Sequence, residues 1–169
     1  CIYPRYVQRV ARLLANTGVK VCTVIGFPFG ANTTKAKVAE AKDALANGAE
    51  ELDMVMSIGQ FKSLDYNGLY RDIVAVKQAA GENILKVIIE TSYLDDSEIL
   101  KACLLAQAAK ADFVKTSTGF ATGGARVEAV ELMRKAVGST CGVKASGGIR
   151  DYKTAIKMLA AGANRIGTS

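Results

Sequence analysis

The feature that most constrains this chain is a repeat of two unlike halves. Short runs rich in β-branched and apolar residues alternate with longer segments of helical periodicity, and the strand-like runs begin about every 23–33 residues. The predicted strands are 19–27, 51–57, 84–91, 112–118, 142–146 and 165–168. Predicted helices lie between them at 33–47, 67–80, 97–110, 126–137 and 152–161. Gly48, Gly81, Gly138 and Gly162 stand behind four of these helices, where left-handed backbone closes a helix with little strain. Several strands are apolar on both faces, and a βα repeat with such strands folds as a parallel sheet covered by helices.

Two parallel architectures compete. A doubly wound sheet carries a glycine-rich phosphate turn after its first strand, but that strand ends here in GFPFGAN, which is not G-x-G-x-x-G. A barrel places polar functional residues near strand C-termini and a phosphate site after its last strands, and this chain has that pattern. The 169 residues suit a single domain, 1–169, yet a full barrel takes about 200–250 residues. The expected fold is therefore α/β, a (β/α)8 TIM barrel incomplete at both ends: it lacks the first βα unit, most of strand 2 and the final helix. Cys1 and Ile2, just before Pro4, are expected to be the tail of that second strand.

Composition removes several kinds of chemistry. There is no His, so imidazole triads, imidazole metal ligands and the imidazole pH switch are excluded, and proton transfer falls to Lys, Asp, Glu, Tyr or Cys. The four cysteines, Cys1, Cys22, Cys103 and Cys141, have no C-x-x-C spacing, which argues against a zinc cluster. Cys22 and Cys103 lie in apolar segments and read as buried thiols, at home in a reducing cytoplasm. No apolar run reaches the roughly 18–20 residues that span a bilayer, and Arg5, Arg9 and Arg12 interrupt the beginning of the chain in a way a signal peptide does not. The net charge of +6 comes from 22 basic residues interleaved with 16 acids. That pattern favours small anionic ligands over nucleic acid.

The candidate site residues follow from strand alternation. Lys86, Lys115 and Lys144 each sit in a predicted strand flanked by apolar residues, and so point into the barrel. Lys86 is expected to share a face with Ile88 and Glu90, Lys115 with Phe113 and Ser117, and Lys144 with Gly142 and Ser146. An interior lysine is costly unless neutral or paired, so three converging lysines point to amine chemistry: one neutral amine attacks a carbonyl to form an iminium. Asp53 faces inward with Glu51, Val55 and Ser57, either moving protons or forming a plain internal salt bridge. Gly147 and Gly148 follow a strand and precede a helix that starts near Asp151, a setting for an anion site. Gly167, Thr168 and Ser169 could form its other wall.

These motifs resemble the deoxyribose-phosphate aldolase family of class I, Schiff-base-forming aldolases. The resemblance runs through CIYPRYV, TVIGFPFGAN, ELDMVMSIG, KVIIET, DFVKTSTGF, GVKASGGIR and AGANRIGTS. It implies a barrel that reversibly cleaves 2-deoxy-D-ribose 5-phosphate to acetaldehyde and D-glyceraldehyde 3-phosphate, with no metal or organic cofactor. Carried over by motif, Lys115 is the Schiff-base lysine, Lys144 the second lysine whose charge lowers the pKa of the first, and Asp53 the proton-relay acid. Gly119, Gly147, Gly148, Gly167 and Ser169 contribute to substrate and phosphate binding, with Lys86 a supporting interior residue on the substrate side. The implied partners are small phosphorylated sugars and aldehydes, without nucleic acid or membrane, and a homodimer paired through outer helices. The alternatives are an inactive barrel fragment that only binds phosphorylated ligands, and a phosphosugar isomerase.

Overall fold

The computed structural model describes residues 1–168. Helices and strands alternate along the chain: α1 (Val7–Leu13), β1 (Cys22–Ile25), α2 (Thr34–Ala46), β2 (Glu51–Val55), α3 (Ile58–Lys62), α4 (Tyr66–Ala80), β3 (Ile84–Ile88), α5 (Asp96–Ala108), β4 (Phe113–Lys115), α6 (Val127–Val137), β5 (Gly142–Ser146), α7 (Tyr152–Ala160) and β6 (Arg165–Gly167). The chain forms two compact units, Cys1–Lys86 and the stretch from Val87 onward. β3 contributes to both. Among the described residues, no helix is long and apolar enough to cross a membrane.

In the first unit the strand order is β1–β2–β3. β1 and β2 run parallel, with Cys22 opposite Glu51 and Val24 opposite Asp53. Both strands are buried along their whole length, as a sheet covered on both faces requires. Ile25, Leu52, Met54, Phe61, Leu69, Ile73 and Val76 form the core. α2 and α4 are fastened by a buried ion pair, Lys37 Nζ to Asp72 Oδ2 at 2.6 Å, and Thr34 donates its hydroxyl to the other oxygen of Asp72 at 2.7 Å. Ile2 forms one parallel bridge with Thr23 and its N–H reaches the Cys22 carbonyl at 3.0 Å, which matches the expected strand tail at Cys1–Ile2.

In the second unit the order is β3–β4–β5–β6, with β4–β5 and β5–β6 parallel. Val87, Ile99, Cys103, Val114, Val130, Met133 and Val143 are its core. Helix starts are set by side-chain caps. Asp95 and Glu98 form a reciprocal capping box on α5, and Asp151 accepts from the Thr154 N–H to start α7. Accepting backbone N–H bonds holds the carboxyls of Asp151 and, at α4, Asp65 below the ordinary 3.8.

Several expected boundaries shift. The strand expected at 19–27 is only Cys22–Ile25, because the chain joins the ladder at Val21, whose carbonyl takes the Glu50 and Glu51 N–H groups, and Val19 stays exposed. Helices α1 and α3 lie where the sequence predicts none. α1 follows a Pro-initiated turn and buries only Val7. α3 has five residues and buries only Phe61, too short for a 3.6-residue pattern to register.

Candidate active site

The first unit holds a buried ionic cluster. Alternation along β2 puts Glu51 and Asp53 on the same face, and the Lys86 ammonium joins both: Nζ is 2.5 Å from Glu51 Oε2 and 2.9 Å from Asp53 Oδ1. Lys86 and Asp53 are fully buried and Glu51 nearly so. Cys22 donates its thiol to Asp53 Oδ1 at 3.2 Å, and Lys86 Nζ also lies 3.6 Å from that sulfur. Burial opposes the charge on Lys86. The Asp53 charge, the Cys22 sulfur and hydrogen bonds to Asp53 and Glu51 outweigh it and hold the amine above its ordinary 10.5. Lys86 is thus a committed cation, unsuited to attack a carbonyl near neutral pH, and the phosphate contact expected of it meets an amine already held by two carboxylates.

Cys1, Cys22 and Asp53 could together offer a metal three ligand atoms within 4.8 Å of one another. Lys86 already supplies positive charge at that place, 2.9 Å from the carboxylate and 3.6 Å from the buried thiol, so the cluster is neutralised by an ammonium. Cys22, Cys103 and Cys141 are all buried, as expected for the first two. Burial pushes the Cys103 thiol up to about 12 and Cys141 to about 11.

The second unit carries the lysine pair. Phe113 lies opposite Gly142, and Lys115 opposite Lys144. A Cβ on Gly142 would sit 2.3 Å from the Phe113 ring, so those two positions point the same way, and two residues on, Lys115 and Lys144 share that face. Both lysines are only 6% exposed. Lys144 lies opposite Arg165 on its other side, and Arg165 stacks its guanidinium 5.1 Å above the Phe113 ring, a cation–π contact. A Cβ on Gly167 would sit 2.8 Å from Ser146 Cβ, so glycine there makes room for Ser146, and it would only touch the Lys144 stem, 3.5 Å from Cε.

At the C-terminal ends of these strands, side chains tie one loop to the next. Thr116 Oγ1 donates to the Ser146 carbonyl at 2.9 Å and accepts from the Ser146 N–H at 3.0 Å, while Ser146 Oγ donates to the Ser117 carbonyl at 2.8 Å. The loop after β4 then lies against the loop after β5. The Ala125 N–H reaches the Gly147 carbonyl at 2.9 Å, and a Cβ on Gly124 would come within 2.3 Å of that oxygen. Gly119, Gly147 and Gly148 all have positive φ, at 87°, 88° and 76°, which glycine alone adopts freely. Gly147 and Gly148 lie in the loop between β5 and α7, and the first turn of α7 is already capped by the Asp151 carboxylate. Ser169 lies outside the described residues.

The strand alternation from which Glu90 was expected to share a face with Lys86 does not extend to Glu90. β3 ends at Ile88 and Glu90 takes left-handed backbone, φ 53° and ψ 67°, which costs a non-glycine residue about 1–3 kcal/mol. Ile89 and Thr91 still donate to the Lys115 and Thr116 carbonyls, so the kink is local. It carries the buried Glu90 carboxylate to Thr118, whose N–H donates to Oε2 at 3.1 Å and whose hydroxyl donates to the same oxygen. The sequence does not mark Thr118 and Arg165 as parts of this region, nor the contact of Glu90 with Thr118. The only available signal was the polar character of Glu90 and Thr118 at the ends of apolar strands.

Parallel strands linked by helices, with two buried lysines at one register step, are the architecture of an aldolase, a carbon–carbon lyase. The family model described as DeoC/LacD family aldolase matches residues 1–169, and the chain belongs to that family. It is 59% identical over 169 residues to the deoxyribose-phosphate aldolase of Brevibacillus brevis, covering all of this chain and 76% of that one. Among solved structures it is similar to an aldolase designated QR15, at 46% identity and a TM-score of 0.96, again covering 100% of this chain and 76% of the other. It is also similar to the deoxyribose phosphate aldolase of Aeropyrum pernix, described as tetrameric, at 36% identity and a TM-score of 0.88, covering 100% and 73%.

Proposed function

We propose that this chain cleaves and forms 2-deoxy-D-ribose 5-phosphate through an iminium on Lys115, on strands that form part of a (β/α)8 barrel. Lys144 and Lys115, buried side by side on β5 and β4, are the observation that carries this conclusion. One of the two is taken as the neutral, nucleophilic amine and the other as its charged neighbour. Lys115 is taken as the neutral amine because it opens the KTSTG motif and Lys86 is held charged elsewhere.

In the cleavage direction the Lys115 nitrogen adds to the C1 carbonyl of the open-chain sugar and water leaves, forming the iminium. Loss of the C3 hydroxyl proton lets the C2–C3 electron pair move into the iminium, which releases D-glyceraldehyde 3-phosphate and leaves an enamine. Protonation at C2 and hydrolysis return acetaldehyde and the free amine. Asp53, held with Glu51 by the Lys86 ammonium, is assigned the proton transfers. Gly119, Gly147, Gly148 and Gly167 are assigned to the phosphate, and Ser169 joins them by motif. The protein is taken to act in the cytoplasm and to self-associate, as a dimer or a larger assembly.

Borohydride reduction in the presence of acetaldehyde tests the chemistry and the residue together. The expected product is a stable ethyl adduct that peptide mapping places on Lys115, absent in Lys115→Ala. An adduct on another lysine, or none while a phosphosugar is isomerised, overturns the assignment.

A further inference from the structure

Four buried side-chain oxygens have no hydrogen-bond partner among the described residues: Glu90 Oε1, Thr91 Oγ1, Ser92 Oγ and Ser117 Oγ. All four fall in the second unit, on the two segments that leave β3 and β4, so buried polar groups that are normally satisfied are concentrated beside one loop. That loop begins at Thr118 and is held at three places. The Thr118 N–H and hydroxyl both donate to Glu90 Oε2. Thr118 Oγ1 accepts from the Phe120 N–H at 3.1 Å, a hydroxyl-centred turn with Gly119 at its middle. Gly123 is pressed against Ser92, where a Cβ would lie 2.9 Å from the Ser92 Cβ, and Ala125 is tied to Gly147.

Glu90 is 1% exposed and its backbone is left-handed, a conformation that persists only where the surroundings over-determine it. A carboxylate beside a phosphate would repel it. One that lies behind the loop, accepting both donors of a single threonine, instead fixes the backbone of the residues in front of it. The reaction proposed above gives this group no part in bond making.

We propose that Glu90 is a positioning residue for the substrate phosphate: through Thr118 it sets the Thr118–Gly119–Phe120 turn beside Gly147 and Gly148, so that glyceraldehyde phosphate and the sugar phosphate are recognised while the unphosphorylated aldehyde is not affected. This rests on the phosphate assignment of the glycines made under the proposed function. The carboxylate makes charge-assisted bonds, roughly twice as strong as neutral ones, so Glu90→Gln keeps an acceptor but a weaker one, and Glu90→Ala keeps none.

The test uses the full chain and compares two readouts in wild type, Glu90→Gln, Glu90→Ala and Thr118→Val. One is the KM for 2-deoxy-D-ribose 5-phosphate, with inorganic phosphate binding followed by calorimetry. The other is the rate of borohydride trapping with acetaldehyde, which carries no phosphate. The expected result is a KM raised about tenfold or more in Glu90→Ala, with smaller rises in Glu90→Gln and Thr118→Val, parallel weakening of phosphate binding, and trapping within about threefold of wild type. An unchanged KM in these variants, or trapping that falls by the same factor as turnover, overturns the proposal and makes Glu90 a support for Lys115 or for the fold. If Glu90→Ala does not fold, Glu90→Gln and Thr118→Val decide. If wild type traps no imine, the aldolase reaction fails on its own, and phosphate binding in the same variants still decides the role of Glu90.

Discussion

Removing the Lys86 ammonium is the sharpest test of how the first unit is built. Its nitrogen lies 2.9 Å from Asp53 and 2.5 Å from Glu51, with all three side chains buried. At an effective dielectric of about 20, each contact amounts to roughly 6 kcal/mol of attraction, most of which offsets the desolvation of three charges. Lys86→Met keeps the apolar volume but leaves two buried carboxylates facing each other. Deleting one partner of a buried pair destabilises by about 3–5 kcal/mol. Protonating a carboxyl at pH 7, the available escape, costs about 4 kcal/mol, so the two figures agree. For a chain of this size that corresponds to a fall of roughly 6–20 °C in Tm, read by circular dichroism at pH 7. Adding Glu51→Gln and Asp53→Asn to Lys86→Met should recover part of the loss, since no buried charge then remains. The pH dependence has a definite sign. Lys86 is held above 10.5 in the folded chain, so its contribution is complete below that pH and is lost as alkali carries the pH through the raised value; wild type should lose stability there more steeply than Lys86→Met. A Lys86→Met variant that melts within about 2 °C of wild type would refute the buried cluster as the source of this stability.

Lys144→Leu should lower turnover at pH 7 at least about tenfold and move the pH–rate profile to higher pH, since removing the neighbouring charge leaves Lys115 protonated over a wider range. Iodoacetamide at pH 8 should alkylate Cys1 in the native protein and spare Cys103 and Cys141, whose thiols are buried and pushed up to about 12 and 11; peptide mapping reads the outcome, and early labelling of Cys103 would contradict the packing. Gly124→Ala should weaken inorganic phosphate binding, because its Cβ would come within 2.3 Å of the Gly147 carbonyl and force the two loops apart.

The buried lysines were legible because they sit in short apolar strands, and the β5 bounds, 142–146, match residue for residue. Asp53 was legible as a buried carboxylate, and the internal salt bridge weighed for it is present with Lys86; which lysine it meets was not legible, since that depends on how β2 and β3 pair. Glu90 shows the limit most clearly. Nothing in the residue type announces left-handed backbone, which glycine and asparagine usually mark, so alternation was extended past the point where the strand ends. α3 escaped because five residues hold little more than one helical turn.

Lys115 and Lys144 meet through the ladder that joins β4 to β5, and a slip of one residue there would turn either amine toward the helices. On the proposed reaction the reactive pair therefore belongs to the scaffold, and substrate recognition to the turns at its edge. Such a division leaves the rim open to evolutionary or laboratory rewriting toward new aldehydes, as long as the inter-strand register beneath it is inherited unchanged.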